Sequence, residues 1–498
     1  MTSGAGMDTD AGGRAKETAD DDGRALHAYV HSRRGEIERQ LAEWIRIPGV
    51  LGEPGKRQDL VHSAHWLAGA FRELGFPGVE VLPTGDSCAI YAEWCAAPGM
   101  PTVLVYSHHD VRSAKPENWE QTAPFEPVVR EQRMYGRGSS DAKGQILAHL
   151  EGLRAHLRAR ARTDGEPSTP GVNLKFLIEG EEEGGSPHLA QLLEQQGERF
   201  AADVVLFTDT LLWREDFPAR CVSLRGMLSV KLEVFGPERD VHSGAVSGIA
   251  PNPVFELSRL LAQLHDSSGR IAVPGFYDDA EPPPEDLRRA FAALPYSDED
   301  FLRRSEIGAI TGEEGYTVLE RLWLRPAVEV TAMIAGDPLG VSRAAVPSVA
   351  TADLSFRTVP GQRVEQVARQ VGQWVEATIG GAFRHTVTPD LDTAQEPYRT
   401  PDHPAVGILE QAMARGFRTE TVGRMGNAGG GPATLLSGSL QAPVLFFGTG
   451  LVEDHWHDSD ESVSLEVLHN GAVTLACFWD GLAGMDQGKD KGNGHFPG

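Results

Sequence analysis

Residues 178–186 read IEGEEEGGS, and their acids are the first sign of chemistry in the chain. The apolar run Leu174-Lys175-Phe176-Leu177 precedes them and has the character of a buried strand, so Glu181, Glu182 and Glu183 stand where a strand ends. In open α/β sheets, reacting groups collect outside the carboxyl ends of strands. Adjacent carboxylates repel one another; a bound divalent cation relieves this, and so does plain solvation of an acidic loop. Five further groups hold comparable positions. His108 and Asp110 follow the apolar run 102–106. Asp141 sits in the Gly/Ser-rich turn 133–144, and Asp209 follows the run 203–207. His457 lies in the loop after 443–447, with His455 and Glu461 beside it. Singly, each has an ordinary reading: a packed or surface histidine, or, for Asp141, a helix cap favoured by the dipole. Seven such groups at strand ends, Glu182 and Glu183 with these five, are hard to explain separately. Nitrogen and carboxylate donors without thiolate suit Zn, Co or Mn. Two ions need about five or six ligand positions, and one carboxylate can bridge both.

The elements that must position these groups are legible from periodicity. Apolar residues recur at helical spacing from Arg24 to Ile47, where Pro48 stops the helix, and again from Arg57 to Leu74, ended by Gly75. Short strands are expected near Val79 and Ala89, and a helix from Asp141 to about Ala159. A block of different pattern follows: strand 228–235, helix 253–264, strands 328–334 and 349–357, helix 364–379 and strand 383–387. That order is βαββαβ, the ferredoxin-like arrangement, interrupted from about 269 to 325 by a long, partly helical insertion. The fold class expected is α/β. A catalytic domain over 24–221 and 396–484 is split by an inserted α+β domain at 222–395. Residues 1–23 and 485–498 lack apolar periodicity and read as disordered.

The composition excludes several functions. A formal net charge of −25 over 498 residues argues against nucleic acid or anionic membrane as partners. No apolar run approaches the length of a membrane span, and no basic segment followed by an apolar one marks a secretory signal. Cys88, Cys95, Cys221 and Cys477 show no CxxC spacing. A disulfide framework is not expected, and a reducing, cytoplasmic location fits.

Taken in order, YSHHDV, GRGSSDAKG, IEGEEEGGS, LFTDT and HDSDES resemble the aminoacylase–carnosinase–glutamate carboxypeptidase family of dinuclear zinc hydrolases. The likeness covers roughly residues 24 to 484. HSG…NP and FRTVPGQ in the inserted block make it similar to the carnosinase-type dipeptidases. The resemblance implies a mixed-sheet catalytic domain of zinc-peptidase type, an inserted lid and dimerisation domain, and two divalent ions, with Zn expected and Mn or Co as alternatives. It implies that His108 and Asp209 hold one ion and that Glu183 and His457 hold the other. Asp141 would bridge both, and Asp110 would orient His108. Glu182 would be the general base for a metal-bound hydroxide. His457 is preferred over His455 because Glu461 follows it at the family's H-x-x-x-E spacing. A cis peptide bond after Asp141 is a further expectation.

In the inserted block, His242 and Asn252 match a substrate-facing loop, and Arg357 matches an arginine that pairs with the substrate's terminal carboxylate. The ordinary reading of His242 is a surface loop histidine, and that of Arg357 a strand-end surface arginine. Two positions depart from the family. Ala344 stands where a threonine is usual. Gly430, in the run 429–431, stands where a hydroxyl would hold the substrate carboxylate, though backbone N–H groups of that run could form an anion-binding nest. The function expected is hydrolysis of dipeptides or small peptides. A deacylase of N-acyl or N-carbamoyl amino acids is the alternative, and a non-catalytic metal-binding scaffold the third reading. A homodimer through the inserted domain is expected, with His242 acting on the partner's metal site.

Overall fold

The computed structural model describes residues 23–53, 55–161, 168–337 and 343–485. Apart from Gly23 and Met485, the segments expected to be disordered lie outside the described residues. The chain forms two compact units. One comprises Met1–Arg220, Pro401–Gly423 and Leu436–Gly498, the other Cys221–Thr400 and Arg424–Leu435. The expected boundary at 396 thus differs at two points. The second unit extends to Thr400, and it takes in 424–435, where Arg225 donates through its amide to the Asn427 carbonyl and through Nε to that of Ala428.

The first unit is built on a six-stranded mixed sheet. Helix α1 (Arg34–Ile45) and helix α2 (Arg57–Leu74) precede strands β1 (Gly78–Thr84), β2 (Ser87–Trp94) and β3 (Thr102–His108). Helix α3 (Lys143–Arg160), β4 (Asn173–Glu179) and β5 (Val204–Phe207) follow, and the strand Val444–Phe446 completes the sheet in the order β1-β2-β4-β3-β5-(444–446). The helix expected over 24–47 is interrupted at Arg33, which leaves the helical region (φ −96°, ψ 2°) just before Gly35, a weak helix former. The Arg33 guanidinium pairs with the buried Glu151 carboxylate at 2.6 Å. Strands β3, β4, β5 and 444–446 run parallel, with His108 opposite Glu179, Tyr106 opposite Phe207 and Phe446 opposite Phe207. Their carboxyl ends therefore open at one edge of the sheet, and the loops that leave them carry the acids and histidines. Both faces are covered, so β3 reads as the continuous apolar run Val103-Leu104-Val105-Tyr106, all buried. Val103 and Val105 share one core with residues of α3 and of the helix Leu465–Ala483.

The second unit contains β6 (Gly226–Phe235), α4 (Pro253–Leu261), β7 (Ala327–Ala335), β8 (Val349–Thr358), α5 (Val364–Thr378) and β9 (Arg384–Gln395). The strands form an antiparallel sheet in the order β7-β8-β6-β9. Leu228, Val230, Leu232 and Val234 alternate inward from β6 and meet Leu257 and Leu260 of α4 and Val367 and Val371 of α5. β9 runs to Gln395, well past the expected end at 387. Its register shifts between Asp390 and Gln395, so side-chain alternation fades there and the periodicity gave no sign of strand. All four cysteines remain thiols. No helix among the described residues is long and apolar enough to cross a membrane.

Candidate metal centre

His108 ends β3 and is fully buried. Its Nε2 lies 3.1 Å from Asp141 Oδ1 and 3.8 Å from Asp209 Oδ2. Its Nδ1 faces the Asp110 carbonyl at 3.1 Å and the Asp110 carboxylate at 3.3 Å. That carboxylate also accepts the N–H groups of Glu182 (3.3 Å) and Glu183 (3.1 Å), so one buried acid sets both the imidazole and the turn that carries the glutamates. The turn Glu182–Gly184 is a single 3-10 turn directly after β4. It can approach this closely because residue 180 is glycine: a Cβ there would lie 2.5 Å from Ser87 Oγ and 2.7 Å from His109 Nε2.

Asp141 precedes α3 across a cis peptide bond to Ala142, as expected. Residue 144 must be glycine for this turn, since a Cβ would sit 2.0 Å from the Ser139 carbonyl. Asp141 Oδ2 lies 2.9 Å from His457 Nε2, which is 3.3 Å from Glu183 Oε2. Two groups of donor atoms result, each within 4.8 Å: His108, Asp141 and Asp209, and Asp141, Glu183 and His457. Asp141 belongs to both.

The charges in this cluster are poorly balanced. Burial raises the Glu182 carboxyl well above the usual range; His108 opposes this, and Asp209, Glu183 and Asp110 add to it. Burial likewise raises Asp209 and Glu183, with Asp141 contributing. Burial lowers the His457 imidazole, but its bonds to Asp141 and Glu183 outweigh that and bring it to about 10. Asp141 shows the reverse: despite burial, His108 and His457 hold its carboxyl down. The buried Asp209 Oδ1 has no hydrogen-bond partner. Acids this crowded, with one orphaned oxygen and donors of nitrogen and oxygen only, fit two divalent ions.

The model for "Peptidase family M20/M25/M40" matches residues 104–480. The chain belongs to this family. It is 30% identical to the human Beta-Ala-His dipeptidase over 362 residues, 70% of each chain. It is 27% identical to the cysteinylglycine-S-conjugate dipeptidase of Corynebacterium striatum, over 89% of this chain and 95% of that one. The crystal structure of human carnosine dipeptidase 1 superposes with a TM-score of 0.81 at 26% identity, covering 93% of this chain and 98% of the other. This M20/M25/M40 chain is thus a metal-dependent peptidase with a dinuclear site.

Two contributors escaped the sequence reading. Arg112 sets its Nε 2.7 Å from Glu183 Oε2, and nothing in the local pattern signals that pairing. Glu461 is marked in the sequence only by its spacing from His457. It is fully buried, and its carboxylate accepts Arg137 Nη1 (2.8 Å) and the N–H groups of Gly138 (2.9 Å), Ser140 (3.0 Å) and Asp141 (3.0 Å). It thereby holds the loop that presents Asp141. The H-x-x-x-E spacing was the available signal.

The residues expected to face substrate lie in the second unit. His242 is exposed and its Nδ1 accepts the Gly244 N–H at 2.8 Å. Asn252 Oδ1 accepts the Val254 N–H at 3.0 Å and caps α4, a role that the sequence reading does not assign to it. Arg357 is half-buried, and burial lowers its guanidinium. Gly430 abuts Gln395: a Cβ there would lie 2.2 Å from Gln395 Oε1, so a serine is excluded unless that amide moves. Ala344 takes a left-handed φ of 46°.

Proposed function

We propose that the protein is a dipeptidase that hydrolyses the amide bond of dipeptides or similarly short peptides at a two-metal centre. The observation that carries this reading is the pair of donor groups sharing Asp141, with Glu182 beside them. Asp141 would serve both ions, His108 and Asp209 one of them, and Glu183 and His457 the other; zinc suits this donor set. Divalent ions at such a site supply Lewis acidity and bring the pKa of water towards ~7. Glu182 is bonded to none of the donors and sits among acids that raise its proton affinity. It would take the proton from the attacking water and deliver it to the leaving amine. Asp110 keeps the His108 imidazole in one tautomer and orientation. Arg357, which has no carboxylate partner among the described residues, would pair with the substrate's terminal carboxylate. The second unit, with strands in the order β7-β8-β6-β9, would be a ferredoxin-like domain that acts as lid and dimerisation domain. Thiols without disulfides fit a cytoplasmic setting.

A second reading, cleavage of N-acyl or N-carbamoyl amino acids, draws on Gly430 and Ala344, where donors for the substrate's end are absent from the side chains. A substrate panel with zinc-reconstituted enzyme separates the two. Dipeptides such as β-alanyl-histidine and cysteinyl-glycine should exceed N-acetyl and N-carbamoyl amino acids in kcat/KM by about tenfold or more. The opposite ranking would replace the first reading by the second.

A further inference from the structure

Within the second unit, the long connection between α4 and β7 borders a cavity of about 540 Å³ at one end of β7. Ile271, Phe301, Ile310, Val318, Leu322 and Val328 supply its apolar walls. None of the lining residues belongs to the metal centre. The charged residues of its lining are Arg225, Arg321 and Arg325 against Glu313 and Glu329, with His265 beside them.

These charges are not equally satisfied. Arg325 and Glu313 form a two-pronged pair, both bonds 2.7 Å, with the rings of Tyr277 and Tyr316 over the guanidinium. Arg225 is only 8% exposed, yet its bonds go to carbonyls alone: Nε to Ala428 at 3.2 Å and Nη1 to Arg325 at 3.3 Å. Burial above all, with Arg357 nearby, lowers its guanidinium to about 9, against the opposing pull of the exposed Glu329. Arg321 also gives its Nε and Nη1 to carbonyls, those of Tyr316 and Thr311, each at 2.9 Å. A buried cation held by carbonyl dipoles is under-compensated. Three guanidinium groups against two carboxylates leave one positive charge on the wall, which matches a monoanion. The fork of a guanidinium suits a carboxylate, and the volume lies within the roughly 300–1,000 Å³ of small-molecule sites.

We propose that this cavity is a second small-molecule site that takes a carboxylate with a compact apolar body, its charged end on Arg225. Such a ligand could be an amino acid released by the enzyme, bound through its carboxylate and side chain, or an alkyl or aryl acid from elsewhere; the carboxylate and apolar body recognised are the same.

The test is calorimetric titration of the full-length, metal-loaded protein with 4-phenylbutyrate, and with 4-phenylbutan-1-ol as its neutral counterpart. One saturable site per chain is expected, with the alcohol weaker by about tenfold or more. Binding should persist in Asp141→Ala. It should fall by about tenfold or more in Arg225→Met and in Ile310→Trp. Ile310 is half-exposed, so tryptophan there fills the cavity without entering the core, and this variant decides the matter if Arg225→Met does not fold. Displacement of phenylbutyrate by phenylalanine identifies the ligand as product-like; failure of phenylalanine to displace it identifies an outside acid, and the site stands in either case. Absence of saturable binding, equal binding of the alcohol, or undiminished binding in Ile310→Trp overturns the proposal. Loss of binding in Asp141→Ala also overturns it, because the probe then sits on the metals.

Discussion

At the residue scale, Asp141 and Glu461 show how one loop would serve two ions. Asp141 touches both histidines, and Glu461 fastens the backbone that carries it. Wild-type protein should contain close to two divalent ions per chain by elemental analysis, and Asp141→Ala should lose most of both. Glu461→Gln should act at one remove, because an amide NH2 would face N–H donors that now meet an oxygen. The expected result is a 10–100-fold fall in metal affinity in a chelator competition, with the fold retained. Metal binding unchanged by Glu461→Gln would mean the loop holds its shape alone. Glu182→Gln tests the base: metal content should stay at the wild-type level while kcat drops by about 10²–10⁴. Normal turnover would reassign the role, with Glu181 next to be tried.

At the scale of elements, α3 contains a buried group that the reaction does not use. His149 lies between the rings of Phe176 (6.2 Å) and Trp479 (6.3 Å), and neither ring nitrogen has a hydrogen-bond partner among the described residues. Burial pushes its imidazole down to about 3. An unfolded histidine binds a proton near 6.5. Between those values the unfolded chain therefore holds more protons than the folded one, and stability falls as pH is lowered through that window. At pH 5 the loss from this residue is about 2 kcal/mol. His149→Phe keeps an aromatic ring and removes the titration. Its melting temperature should match wild type near neutrality and exceed it at pH 5. Identical acid limbs for the two proteins would rule out His149 as the cause.

For the whole molecule, the open question is assembly. The edge strand β7 exposes Val330, Met333 and Ile334, and Ile249 and Phe255 stand 80% and 76% exposed near the start of α4. Unprotected edges and apolar surface of this kind invite pairing with a second copy. A symmetric dimer through the second unit, with His242 of each chain acting at the other's metal site, predicts complementation. Mixing inactive His242→Ala with inactive Glu182→Ala chains, after exchange has equilibrated, should restore part of the activity, since each mixed dimer has one intact site. Heterodimers that form and stay inactive would show that His242 does not work across the interface. An active monomer at assay concentration would remove the dimer itself.

The sequence by itself determined the local patterns: apolar runs that end in acids or histidines, the βαββαβ order, and a motif series sufficient to name the family. Such patterns depend on neighbours within about a turn of helix or a few strand positions, so a one-dimensional reading can find them. The cis bond after Asp141 came from that resemblance. Only the tertiary structure decided what the parallel register of β3, β4 and β5 brings to one edge, because contact there joins residues far apart in sequence. Glu461 reaches Gly138 and Asp141 across more than 300 residues. Arg112 finds Glu183 through the packing of two loops, and Asn252 proves to cap a helix. Gly430 shares the second unit with Gln395 although the expected boundary put it in the first domain. The cavity beside Arg225 depends on how a long insertion folds back onto one strand. No periodicity encodes that path, since it is set by which side chains can satisfy buried donors and fill space once the sheet has formed.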